Sequence, residues 1–221
     1  MSITPDSIRE KLASSDFGDR LTAVNQMREL EPAIAFDLLS IASADDNARV
    51  RYAAISQIST VGSVDKATST KLLRNRLTTD PEPDVQAAAA DSIGALQLTE
   101  IFEDLKSVYE NTTEWLVKFS IIAALGELGD IRAFELLQDA LGSPNELIRT
   151  AAIGALGELG EDRAIKLLLP YVTHPDWQTR HRVVQALSNF TDETARQALQ
   201  QLTQDKSEMV AKAAEIHLAS T

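Results

Sequence analysis

Apolar residues recur along this chain at helical spacing, in blocks such as "PAIAFDLLSIA", "TEIFEDLKSVYE", "DIRAFELLQDAL", "EDRAIKLLLPYV" and "DETARQALQQLT". That spacing predicts amphipathic helices with one buried stripe each. Each block is followed by a polar turn ("SADDN", "TDPEP", "LGSPN", "THPDW"), whose Asp, Asn, Ser and Pro favour turns and helix starts through local hydrogen bonds to the backbone. A second helical block then follows a shared pattern, V/I–R–x–small–A–I–x–x–L. It reads "VRYAAISQI" from Val50, "VQAAAADSI" from Val85, "VKFSIIAAL" from Val117, "IRTAAIGAL" from Ile148, "TRHRVVQAL" from Thr179, "VAKAAEIHL" from Val210 and, more degenerately, "DRLTAVNQM" from Asp19. The anchors are separated by 31, 35, 32, 31, 31 and 31 residues, which gives seven copies.

Two antiparallel helices repeated in tandem at this period predict an all-α fold, an α-solenoid of about seven helix pairs, over 1–221 as one domain. Gly126, Gly129, Gly157 and Gly160 sit where one helix is expected to stop and the next to begin. The terminal "AEIHLAST" offers no obvious polar capping copy, which leaves homodimerisation end to end open.

Composition narrows the function. With 44% apolar residues the chain can bury a continuous core. With no cysteine it has no disulfide, no thiolate nucleophile and no thioether to a cofactor. A net charge of −12 repels phosphates, which argues against a nucleic acid partner. No apolar run is long enough to cross a bilayer and the opening "MSITPDSIREKL" lacks a leader pattern, so the expectation is a cytoplasmic protein without membrane insertion. His174, His181 and His217, the three histidines, fall in different copies or on different faces without ligand spacing, so no metal site is expected. "GALGELG" lies where a helix ends rather than after a strand, so it is no phosphate loop. No catalytic constellation stands out.

The repeated D-x-x-V-R-x-A-A-I-x-A-L-G-x-L-G followed by D/E-x-R-A resembles the short HEAT-like repeat across essentially the whole chain. The size, the acidity and the opening "DFGDRLTAVNQMREL" are similar to the NblB-type phycobilisome degradation proteins of cyanobacteria, relatives of the E/F-type phycobilin lyases. The resemblance implies a curved right-handed superhelix and a place beside phycobilisomes. It further implies phycobiliprotein partners (phycocyanin or allophycocyanin subunits) and action on the linear tetrapyrrole chromophore. Phycocyanobilin would then be a noncovalent ligand, and no cofactor is intrinsic to the chain. Detachment of the bilin, by binding or by catalysis, is the implied activity. A lyase subunit needing a complementary partner, or a scaffold that binds only protein, are the alternatives.

Candidate site residues come from a helical wheel, not from family motifs. In the fifth copy Ile148, Ala152, Ile153, Leu156 and Leu159 face the core, leaving Thr150, Ala151, Gly154 and Glu158 outside. The position of Thr150 reads Leu21, Tyr52, Ala87, Phe119, Thr150, His181 and Lys212 through the copies. Tyr52 and Phe119 are candidates to stack on pyrrole rings, or are packed against neighbouring copies. Where other copies carry Thr22, Ala53, Ala88, Ser120, Ala151 and Ala213, the sixth has Arg182; with His181 it suits a carboxylate, against the alternative of a surface ion pair. Trp115 and Trp177, at one repeat position, together with Arg49 are candidates for a partner interface, with capping of the core as the alternative for the two rings. The ladder Arg20, Arg51, Lys118, Arg149 and Arg180 is expected to hydrogen-bond neighbouring turns, with Asp45, Asp46, Asp80, Asp84 and Glu146 as partners.

Overall fold

The computed structural model describes residues 3–219. Among them the helices pair as the period predicts. They are α1 (Pro5–Leu12) with α2 (Phe17–Gln26), α3 (Pro32–Ala42) with α4 (Ala48–Val61), and α5 (Lys66–Thr79) with α6 (Pro83–Ala95). There follow α7 (Phe102–Asn111) with α8 (Trp115–Leu128), α9 (Phe134–Ala140) with α10 (Glu146–Leu159), α11 (Arg163–Leu168) with α12 (Trp177–Leu187), and α13 (Glu193–Leu202) with α14 (Glu208–Ala219). No strand occurs among the described residues. The chain divides into two compact units, one ending at Ala124 and the other beginning at Leu125, within α8. Of "AEIHLAST", Ser220 and Thr221 lie outside the described residues.

The second helix of each pair carries the pattern, and its anchor is core. Val50, Val85, Val117 and Val210 are fully buried, with Ile148 and Thr179 nearly so; Asp19 of the degenerate first copy is exposed. Helices α2, α4 and α6 pack in succession in the first unit, and α10, α12 and α14 in the second. Their starts are fixed by side-chain caps: Asp16 accepts from the Gly18 N–H, Asn47 from Arg49, Asn145 from Leu147 and Asp176 from Thr179.

The arginine ladder is a clasp between consecutive copies. Arg20 grips Asp45 through Nε (2.7 Å) and Nη2 (3.0 Å). Arg51 grips Asp80 at 2.8 Å on both oxygens, and Arg180 grips Asp205 at 2.6 and 2.7 Å. The third nitrogen of each fork turns back to its own turn: Arg20 to the carbonyls of Ser14 and Ser15, Arg51 to Asp45 and Asp46, Arg180 to His174 and Pro175. One guanidinium therefore ties its own turn to the turn of the next copy. Where the third copy has Gln86 instead, its amide keeps only the carbonyl bond, to Asp80 O at 3.0 Å. Arg149 likewise donates to the Ser143 carbonyl at 2.7 Å, and in the following copy His174 occupies the position that Asp45, Asp80 and Asp205 hold. Two expected acids are not clasp partners, because Asp84 and Glu146 lie in the first turns of α6 and α10, past the gripped position. Lys118 sits with its ammonium 5.0 Å from the centre of the Tyr109 ring.

Two of the four glycines do something other than end helices. Gly129 and Gly160 do adopt the left-handed backbone, φ +67° each, that ends α8 and α10. Gly126 and Gly157 instead lie inside those helices. A Cβ on Gly126 would stand 2.7 Å from Ala155 Cα, and one on Gly157 2.4 Å from Ala186 Cα; Gly94 approaches Ala124 in the same way, at 2.8 Å. These glycines let the helix of one copy touch the backbone of the next. The earlier junctions bridge by hydrogen bonds from the repeat position that Ala124, Ala155 and Ala186 hold: buried Gln57 Nε2 donates to Val24 O at 3.0 Å and Ser92 Oγ to Ile55 O at 2.9 Å.

Candidate functional site

The cleft that gathers the unusual residues lies wholly in the second unit, between the N-terminal turns of α10 and α12. It encloses about 630 Å³ and is lined by Glu146, Leu147 and Thr150 on one side and by Asp176, Trp177, Gln178, His181, Arg182 and Gln185 on the other, with Met209 of α14 at the edge. Asp176 holds the start of α12 by accepting from the Thr179 N–H (2.8 Å) and hydroxyl (2.9 Å). Those bonds, the backbone one first, keep its carboxyl below the usual carboxylate range. Leu147, Trp177 and Met209 all stand exposed. The cleft thus offers an apolar and aromatic edge beside two amides, two carboxylates, an imidazole and a guanidinium.

Arg182 has a specific seat. Opposite it on α10 stands Gly154, and a Cβ built there would lie 3.4 Å from Arg182 Cδ, 3.8 Å from Nη1 and 3.9 Å from Nε. The arginine stem therefore lies flat along a bare stretch of helix. No hydrogen bond or ion pair to its guanidinium is present among the described residues, so its five N–H donors face solvent and the cleft. Arg182 also acts at a distance on Glu158. Burial and then the charge of Glu127 push the Glu158 carboxyl up, and the arginine pulls it partly back.

The remaining candidates fall elsewhere. Tyr52 and Arg49 belong to the first unit, where with Ala48, Glu82 and Asp84 they line a cleft of about 210 Å³ between the starts of α4 and α6. That is the same place in the repeat as the cleft of the second unit. Phe119, on α8, is half-buried and lines neither cleft. Ala87 of the same row is buried, so the third copy breaks the outward-facing row. Trp115 and Trp177 are 49% and 43% exposed at the first position of α8 and α12, so neither ring closes a core.

Leu147, Met209, Gln178 and Gln185 complete the cleft without having been singled out by the sequence. The signal for the first two is an apolar residue in the first turn of a second helix. That signal is weak, since single exposed apolar residues are common. Among the described residues no cluster of His, Cys, Asp or Glu is arranged to hold a metal ion, and no helix is long and apolar enough to cross a membrane.

Comparison with protein families decides the class, since the profile of the HEAT repeats matches residues 70–156 and 135–219, well over half the chain. The chain belongs to the HEAT-repeat family. Comparison with curated sequences gave no match. Among solved structures, this HEAT-repeat protein resembles the complex of CpcE and CpcF of phycocyanin lyase from a Nostoc species. The identity is 22%, the match covers 100% of this chain and 95% of that one, and the TM-score is 0.66. An engineered protein matches with 18% identity over 97% of this chain and 67% of its own, TM-score 0.63. An archaeal HEAT-like repeat protein from Thermococcus onnurineus matches with 12% identity over 99% and 97%, TM-score 0.56. At these identities the likenesses concern the fold. In the HEAT-repeat frame the clasps and close-packed glycines belong to the stacking, whereas His181 and Arg182 do not.

Proposed function

We propose that this HEAT-repeat protein binds phycobiliproteins and promotes detachment of their bilin chromophores in phycobilisome degradation, holding the tetrapyrrole noncovalently in the cleft of the second unit. The observation that carries this reading is the juxtaposition of Trp177, Leu147 and Met209 with His181 and Arg182 around one opening of about 630 Å³. A linear tetrapyrrole is a long conjugated molecule with two propionates, so it needs an apolar surface to stack on and a cation at one end. Trp177 offers the first and the Arg182 fork the second. The likeness in fold to the complex of CpcE and CpcF of phycocyanin lyase supports the same pathway.

The absence of cysteine means that the chain cannot take the chromophore over as a thioether. Detachment then requires only that the carbon–sulfur bond on the biliprotein break while the neighbouring carbon gives up a proton, restoring a carbon–carbon double bond and a free thiol. No oxidant, reductant or water is consumed. A protein that binds the released chromophore better than the attached one shifts that equilibrium by its difference in affinity.

Mixing the purified protein with holo-phycocyanin and recording visible spectra alongside size-exclusion profiles tests this. The expected result is a complex whose spectrum bleaches as free bilin appears. A complex without spectral change would make the protein an adaptor, and no complex at all would end the phycobiliprotein reading. The likeness to a lyase built of two chains also supports a second reading, a lyase subunit. It predicts activity only when a complementary HEAT-repeat partner is added.

A further inference from the structure

Two departures from the repeat pattern meet in space. Counting from the first residue of the pattern, the fourth position reads Thr22, Ala53, Ala88, Ser120, Ala151, Arg182 and Ala213, so only the sixth copy has a long cation there. The seventh position reads Asn25, Ser56, Asp91, Ala123, Gly154, Gln185 and Ile216, so only the fifth copy has glycine. The arginine lies on that glycine, with Arg182 Cδ at 3.4 Å from where a Cβ would stand. Gly154 is not needed for backbone reasons: it sits in the middle of α10, where glycine is a poorer helix former than alanine. Nor is a neighbouring backbone what it meets first, as at Gly126 and Gly157, since the three heavy atoms nearest to such a Cβ all belong to the Arg182 side chain.

We propose that Gly154 is a positioning residue for Arg182, and that together they form a carboxylate-recognition station in the cleft. The proposal rests on the reading of that cleft as a tetrapyrrole site. The glycine gives the stem a flat track, and the track sets the guanidinium at the mouth with its donors uncommitted. Arg180, two residues earlier, shows the contrast: its fork is fully consumed by Asp205, His174 and Pro175. A fork free of partners on a fixed stem gives up little side-chain freedom when it meets a planar carboxylate, which is the condition for a bidentate pair to contribute net affinity. A branched or long residue at 154 would lift the stem off the helix and turn the fork away. The station therefore selects ligands that combine an apolar ring system with a free carboxylate.

The test titrates the full chain with biliverdin and with its dimethyl ester, which share the conjugated skeleton and differ in the carboxylates, following absorbance. The wild type is expected to prefer the acid roughly ten- to a hundredfold, the range of a charge-assisted hydrogen bond. Arg182→Ala and Gly154→Leu are each expected to reduce that preference to within about threefold. Gly154→Ala should retain the preference, because its Cβ meets the stem at ordinary contact distance. Circular dichroism melts accompany each variant, and Arg182→Ala carries the test if Gly154→Leu does not fold. Acid preference that survives in Gly154→Leu but is lost in Arg182→Ala would overturn the positioning role and leave the pigment reading intact. Preference that survives in Arg182→Ala would overturn the station. If neither compound binds the wild type while holo-phycocyanin does, the cleft is not a tetrapyrrole site and the proposal fails with it.

Discussion

Asp80→Ala is expected to lower the melting temperature by roughly 6–20 °C at pH 7, from a loss of about 3–5 kcal/mol spread over a chain of this size. The side chain of Asp80 is 0% exposed and accepts from both Nε and Nη2 of Arg51, from Arg76 Nη1 at 3.3 Å and from the Glu82 N–H at 3.1 Å. Removing it leaves the Arg51 guanidinium buried without its counter-charge, and truncating one partner of a buried pair costs far more than the pair contributes over an apolar replacement. The effect carries a pH signature. Burial alone would push the Asp80 carboxyl up, but the Arg51 hydrogen bonds, the Glu82 N–H, the charge of Arg51 and then Arg76 hold it below the usual carboxylate range. A group whose folded pKa is depressed contributes stability that is complete above its unfolded value of about 3.9 and is lost as pH falls through the folded value. Wild-type stability should therefore drop below about pH 4 more steeply than that of Asp80→Ala. Thermal melts between pH 7 and pH 2 check both points, and a variant that melts within about 2 °C of wild type at pH 7 would show that the clasp contributes no net stability.

Gly157→Ala is expected to destabilise by about 1–3 kcal/mol, roughly 2–12 °C, although alanine is the better helix former by about 1 kcal/mol. The reason is the 2.4 Å between a Cβ at that position and Ala186 Cα, with Ala186 O at 2.9 Å. Backbone atoms cannot move aside as a flexible side chain can, so α10 and α12 must separate. Gly154→Ala, three residues away on the same helix, meets only a side chain and should be neutral or stabilising. Melting both variants side by side isolates packing from propensity, and a Gly157→Ala variant more stable than wild type would refute the close-contact account.

The two glycines also show where the sequence stops being legible. The period, the pairing and the caps could be read directly, because a 31-residue spacing and polar turns each fix local structure by themselves. The arginine ladder could be read because repetition itself signals a structural bond. Gly126 and Gly157 could not. A glycine near the end of an apolar stripe looks the same whether it ends the helix or admits a neighbour, and only the distance to the next copy tells the two apart. The cleft was half visible. His181 and Arg182 stood out against their own repeat positions, but Leu147 and Met209 enter the cleft from other copies, and no single helical wheel brings three helices together. Tyr52 and Phe119 share the position of His181 in the wheel. In the first unit, however, Tyr52 lines its cleft with Arg49, Glu82 and Asp84 instead.

The change from Gln57 and Ser92, which donate across copies, to the Gly94–Ala124, Gly126–Ala155 and Gly157–Ala186 contacts has an evolutionary meaning. The first six copies are each keyed to their neighbour, and the chain uses two kinds of key. A gene duplication that inserts the fifth copy after itself preserves a glycine facing an alanine and can be accepted at once. The same copy inserted after the second would part Ser92 Oγ from the Ile55 carbonyl and set Ala155 against Ser59, where no glycine makes room for it. A duplication within the glycine–alanine stretch therefore keeps a packing contact that a duplication across its border would lose.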